Sequence, residues 1–241
     1  MAYNVALDTI AKSSAPDAAD LAEALLERMQ LHFNNGDKDL SPTTQSFSTV
    51  MNALARSVDP EGGKKAEKLL QMMHELQADG TENVVPNTIA YTTCILAWSK
   101  SGQSIAGKRA DSLLRKMEKY YDEGLDDNMK PNAISYTNAM EAWINSRQPN
   151  SLERVEAILD RMIERSRAGD TDSAPTTTSF NVALKAIRLS SEPMKHHKAE
   201  NIFNRIKELH EIEGFHAKPS IQTYNEVSRH HMFKFAFIVL Y

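Results

Sequence analysis

The sequence contains little cysteine and no long apolar segment. Cys94 is the single cysteine among the 241 residues, which excludes an internal disulfide framework and fits a reducing compartment. No stretch reaches the roughly 18 consecutive apolar residues that a membrane-spanning helix needs, so we expect no contact with a membrane. The densest apolar stretch, residues 233–241, is too short to cross a bilayer.

Positive charge and catalytic motifs are also scarce. The formal net charge is −4, which argues against a nucleic-acid partner because phosphate contacts favour basic surfaces. The segment 62–65 lacks the Ser or Thr of a phosphate-binding loop, and His74-Glu75 is not followed by a second zinc-binding histidine. We therefore expect no enzyme activity, no cofactor and no metal site.

An internal repeat dominates the sequence. An aromatic residue followed by a small polar one recurs every 44 or 45 residues, at Tyr3-Asn4, Phe47-Ser48, Tyr91-Thr92, Tyr136-Thr137, Phe180-Asn181 and Tyr224-Asn225. A proline precedes each of the last five aromatics at a constant distance: Pro42, Pro86, Pro131, Pro175 and Pro219. Self-similarity of this kind predicts a repeat architecture.

A second apolar register has the same period. Its members are Ala22, Ala66, Ala110, Val155 and Ala199, each followed by an apolar pair and then by Met29, Met73, Met117, Met162 or Ile206. This spacing predicts one face of an α-helix. A glycine suited to a left-handed helix end follows, at Gly36, Gly80, Gly124, Gly169 and Gly214. Each unit is therefore predicted to be two helices joined by a short turn such as residues 59–63, which include Gly62 and Gly63. The aromatic residue is expected to open the first helix.

These residues resemble the pentatricopeptide repeat (PPR). The copy that begins at Tyr91 keeps nearly every hallmark, with Ala110 to Met117 in the second helix and Pro131-Asn132 at the end. The resemblance implies an all-α fold, a right-handed α-solenoid of helix-turn-helix (PPR/TPR-like) repeats. Residues 1–228 would hold five repeats and the start of a sixth, with units near 3–46, 47–90, 91–135, 136–179 and 180–223.

The repeat departs from the family in length and at its ends. The family's unit has about 35 residues, close to the 34 of TPR repeats, whereas HEAT and armadillo units have about 40–47. The HEAT and armadillo patterns do not require an aromatic-polar pair at a fixed distance after a proline. We therefore interpret the array as an expanded PPR variant. Residues 229–241 form an atypical apolar tail, and we expect an array that is incomplete at both ends.

The resemblance implies binding of single-stranded RNA, one base per repeat. The implied base-binding residues follow each aromatic and each closing proline, in the pairs Asn4 with Thr43, Ser48 with Asn87, Thr92 with Asn132, Thr137 with Thr176, and Asn181 with Ser220. By the family's code, the second and third pairs would select adenine and the fifth cytosine. Gln45, Ile89, Ile134, Thr178 and Gln222 would flank the bases. Trp98 and Trp143 occupy equivalent sites, and we expect them to pack between repeats rather than to stack on bases.

The charge pattern adds a candidate phosphate-binding stripe. Lys12, Arg56 and Lys100 recur at the repeat period in the first helices, which carry more basic than acidic residues. The resemblance implies a role in mitochondrial or plastid RNA processing, stability or translation without catalysis. Two other interpretations stay open: the small polar residues could serve only as helix caps, and the array could be a scaffold that binds a protein partner.

Overall fold

The computed structural model describes residues 2–13, 15–57, 59–211 and 217–228, and all regular secondary structure within them is helical. Gly214 and the apolar tail, residues 229–241, lie outside the described residues. The helices are α1 (Ala2–Lys12), α2 (Ala18–Asn34), α3 (Thr44–Arg56), α4 (Gly62–Ala78), α5 (Thr88–Ser101), α6 (Ala106–Asp122), α7 (Ala133–Asn145), α8 (Ser151–Arg167), α9 (Thr177–Leu189), α10 (Lys195–His210) and α11 (Ile221–Ser228).

The odd-numbered helices, called first helices below, alternate with the even-numbered second helices. Each first helix packs against the next first helix, in the pairs α1–α3, α3–α5, α5–α7, α7–α9 and α9–α11. Each second helix packs against the first helices on both sides of it, as α4 does against α3 and α5. Every hairpin therefore buries its apolar face against its neighbours, because one hairpin cannot cover that face alone.

The first helices begin about one turn before the aromatic residues, so the prediction that these residues open the helix was wrong. The α3 helix begins at Thr44, because the hydroxyl of Thr43 accepts a hydrogen bond from the Ser46 amide. Such a cap satisfies a backbone N–H that has no partner within the helix. Phe47 consequently lies inside the helix, where it is fully buried.

The predicted glycine ends of the second helices are confirmed at the four glycines within the described residues. Gly36, Gly80, Gly124 and Gly169 all have positive φ angles, between 65° and 99°. After α2, the Gly36 amide bonds to the Phe33 carbonyl and the Asp37 amide to the His32 carbonyl. This pattern satisfies carbonyls at the helix end, and glycine adopts it without steric cost.

The structure confirms the predicted positions of the two tryptophans but not that of the glycine pair Gly62-Gly63. Trp98 and Trp143 were expected to pack between repeats, and both are buried against the second helix of the preceding hairpin. Gly62 and Gly63 were expected in a turn, but they form the first turn of α4. A Cβ atom on Gly63 would lie 2.6 Å from Cδ2 of Trp98, so the helix start needs glycine to admit the indole ring.

Candidate functional site

The residues after the closing prolines are helix caps. Side chains of Thr43, Asn87, Asn132 and Thr176 each accept a hydrogen bond from the backbone amide three residues later. Ser220 does the same for Thr223, at 3.2 Å. All five residues are therefore helix caps, and a cap keeps part of its hydrogen-bonding capacity.

The residues after the aromatics contact the next hairpin. Asn4 Oδ1 accepts a hydrogen bond from the Ser46 hydroxyl at 2.8 Å, and Asn181 Oδ1 accepts one from Thr223 at 2.7 Å. Thr92 and Thr137 bond through their hydroxyls to the corresponding serines of the next hairpins, at 2.7 and 3.0 Å.

A bridging hydroxyl thus joins the members of four of the five predicted pairs. Ser135, for example, donates to Asn132 Oδ1 at 3.1 Å while it bonds to Thr92. The bridging residues are Ser46, Ser135, Ser179 and Thr223, each directly before an aromatic residue. Sequence analysis missed them, although their common period and their position in a capping box were visible signals.

The pair formed by Ser48 and Asn87 is different. The residue at the bridging position is Ala90, which has no hydroxyl. Ser48 Oγ is consequently buried without a hydrogen-bond partner. Ser48 and Asn181 each expose only 8% of their surface, whereas Asn4, Thr92 and Thr137 are half-buried.

The predicted flanking residues lie at the surface. Ile89 and Ile134 expose 63% and 61% of their surface, which is unusual for large aliphatic side chains. Gln45, Thr178 and Gln222 are exposed as well. Ile89 lies one turn before Thr92 in α5, and the amide of Ile134 bonds to the Asn132 side chain. The Thr92/Asn132 pair therefore has an exposed aliphatic side chain on each of its two helices.

The basic stripe is exposed, although each member has a partner within the chain. Lys12 bonds to Asp8 at 2.7 Å, and Lys100 lies 3.9 Å from Glu141. Arg56 Nη1 donates to the carbonyl of Ala11 at 3.3 Å. Exposed pairs of this kind contribute little free energy, typically about 0–1 kcal/mol, so all three cations stay available to a ligand.

Within the described residues, no group of three or more His, Cys, Asp or Glu side chains could hold a metal ion. Cys94 is fully buried, and burial raises the pKa of its thiol well above the ordinary value. No helix of the described segments is long and apolar enough to cross a membrane.

No protein-family model matches the chain, and no curated protein matches it significantly.

Proposed function

We propose that this chain is a single-stranded RNA-binding repeat protein of the pentatricopeptide type, without catalysis of its own. In this proposal the hairpins form a right-handed α-solenoid whose first helices line the concave face. The close approaches between consecutive first helices support that curvature. Consecutive second helices are joined by long ion-paired side chains such as Arg165 and Asp122, at 2.8 Å.

The Thr92/Asn132 pair carries the proposal. Its two polar side chains come from successive hairpins and meet through Ser135, and exposed Ile89 and Ile134 lie beside them. Hydrogen-bonding groups between apolar surfaces are what a base needs, because its edge is polar and its faces stack. The other predicted flanking residues, Gln45, Thr178 and Gln222, are exposed in the same way.

The hydrogen bonds also favour the base assignments. Ser135 has one proton and donates it to Asn132, so the Thr92 hydroxyl donates to Ser135 and keeps lone pairs for an acceptor role. An acceptor suits the exocyclic amine of adenine. Asn181 has its carbonyl oxygen occupied by Thr223, which leaves amide N–H groups for the acceptors of cytosine. Because Ser48 and Asn181 are nearly buried, bases at these two steps require neighbouring first helices to separate slightly.

A double substitution tests the proposal. Thr92→Asn together with Asn132→Ser reproduces the Asn181/Ser220 combination and keeps a capping residue at position 132. We expect the preference at the third base to change from adenine to cytosine, measured by competition between two single-stranded RNAs that differ only at that base. Ser112→Asn, on the exposed side of α6, is the matched control and should leave the preference unchanged.

Two results would contradict the proposal. Wild-type protein that binds no single-stranded RNA would exclude the function itself. An unchanged preference in a folded double variant that still binds RNA would exclude base selection by this pair. The mitochondrial or plastid location is proposed from the resemblance alone, and labelling of the full protein in cells would test it.

A further inference from the structure

A cleft of about 530 Å³ lies between α4 and α6, on the second-helix side of the molecule. Its walls carry four basic side chains, Lys64, Lys68, Arg109 and Lys116, but one carboxylate, Glu67. This volume lies within the range of about 300–1,000 Å³ that is typical of ligand sites. The cleft is thus a large and predominantly basic depression in a chain with a negative net charge.

Two of these cations have no carboxylate partner. Glu67 is already occupied, because it accepts the Trp98 indole N–H at 2.9 Å and pairs with Arg109. Lys64 pairs with Glu61 at 2.8 Å. Lys68 and Lys116, by contrast, form no ion pair with any described carboxylate. The Lys116 ammonium contacts His74 Nε2, at 3.5 Å.

The interface between the next two second helices, α6 and α8, shows which carboxylate partner Lys116 lacks. Arg161 occupies the register of Lys116, and it lies 2.9 Å from Asp111 and 3.5 Å from Glu118. Glu118 also accepts the Tyr136 hydroxyl at 2.7 Å. In the cleft, His74 stands at the register of Glu118 and bonds to the Tyr91 hydroxyl at 2.7 Å. Asp111, the nearer of the two carboxylates, has its counterpart in Glu67, which is already paired with Arg109, and Glu118 is replaced by a neutral ring.

A second acid is missing in the same way. Arg205 repeats the Lys116 register in α10, and it pairs with Asp160 at 2.6 Å. The residue at the register of Asp160 in α4 is Gln71, which is uncharged. Burial lowers the pKa of Lys116, although the nearby Glu67 carboxylate raises it. Burial, and then the nearby Lys116, lowers the pKa of His74, which keeps the ring neutral.

We infer that this cleft binds a glutamate or aspartate side chain of an acidic peptide in a partner protein, with its carboxylate between Lys116 and Lys68. At the next interface the Glu118 carboxylate lies 3.5 Å from Arg161, which shows that a cation at this register can take a carboxylate partner. Lys68 and Lys116 lie beyond the first turns of α4 and α6, where backbone N–H groups are bonded within the helix, so the amide donors that phosphate sites commonly use are missing beside these two cations. Ile105, which is exposed at the cleft, provides an apolar contact for a neighbouring residue of the peptide.

The test uses the full chain and a fluorescein-labelled peptide of glutamates around a single leucine, measured by fluorescence anisotropy. We expect wild-type protein to bind and Lys116→Gln to weaken binding by about tenfold or more, as for loss of a desolvated charge partner. Lys119→Gln, on the same helix but outside the cleft, changes the net charge equally and should bind like wild type. Absence of wild-type binding, or equal weakening by both variants, would overturn the inference.

A second experiment uses a variant that we expect to be more stable than the wild type. His74→Glu restores the acid found at the next interface, so we expect a higher melting temperature together with loss of peptide binding. Unchanged peptide binding in this variant would overturn the inference. Displacement of the peptide by a single-stranded RNA, with equal loss of RNA affinity in Lys116→Gln, would assign the cleft to RNA and also overturn it.

Discussion

At the scale of single residues, the hydroxyl that directly precedes four of the aromatics has two roles. Ser46 accepts from the Thr43 amide, at 3.1 Å, which completes a capping box, and donates to Asn4 of the preceding hairpin. The same atom therefore starts a helix and fixes its position against its neighbour. Ala90 can do neither, and the preceding Ser48 hydroxyl is buried without a partner.

This exception predicts a stabilising substitution. Ala90→Ser should give Ser48 its missing partner and increase the free energy of unfolding by about 0.5–1.5 kcal/mol, the net value of one hydrogen bond. Chemical denaturation monitored by circular dichroism measures it. The reverse change, Ser135→Ala, should destabilise the protein because it removes a bridge and one half of a capping box. A destabilising Ala90→Ser would show that the site has no room for a hydroxyl.

The sequence placed the paired residues in register, because their period is regular. It could not show that Asn4 bonds to Ser46 or that Ser48 and Asn181 are nearly buried. Both facts depend on how closely successive first helices approach, which is set by contacts between residues more than 40 positions apart. A cap or a helical spacing in the sequence gives no information about the distance between two helices.

At the scale of helices, neighbouring hairpins fit through matched large and small residues. Trp98 faces Gly63, and Trp143 faces Gly107, where an added Cβ would lie 2.5 Å from Cδ2 of the ring. At the same registers the first two hairpins have Leu54 with the larger Ala19. Gly62-Gly63 was mistaken for a turn because its local composition favours one, while the indole that requires glycine belongs to the next hairpin.

A double-mutant cycle tests this fit. Alanine is favoured over glycine in a helix by about 1 kcal/mol, yet Gly63→Ala should destabilise the protein, because overpacking a close contact costs about 1–3 kcal/mol. Trp98→Leu alone should also destabilise it by leaving a cavity. The two changes together should reproduce the Ala19/Leu54 arrangement and cost less than their sum. Additive free energies of unfolding would show that the two residues are not coupled.

At the scale of the whole molecule, the two sets of helices use charge differently. Second helices are connected by ion pairs such as Lys198 with Glu156, at 3.0 Å, and Arg205 with Asp160. These pairs neutralise charge within the array. The first helices have ion pairs too, such as Lys100 with Glu141, but they also carry the exposed stripe of Lys12, Arg56 and Lys100. An acidic net charge is therefore compatible with a weakly basic face, since the excess of acids lies elsewhere.

The small number of stripe cations predicts the salt dependence of RNA binding. Each phosphate contact with a single strand contributes a slope of about −0.7 to log K against log salt, so three contacts should give roughly −2. Replacing Lys12, Arg56 and Lys100 together with glutamine should bring the slope close to zero, measured by anisotropy over a salt series. Replacing Lys108, Lys119 and Arg167 changes the net charge equally, but these exposed residues belong to second helices. If both triple variants reduce the slope equally, the phosphates do not follow the first-helix stripe and are contacted by cations elsewhere on the surface.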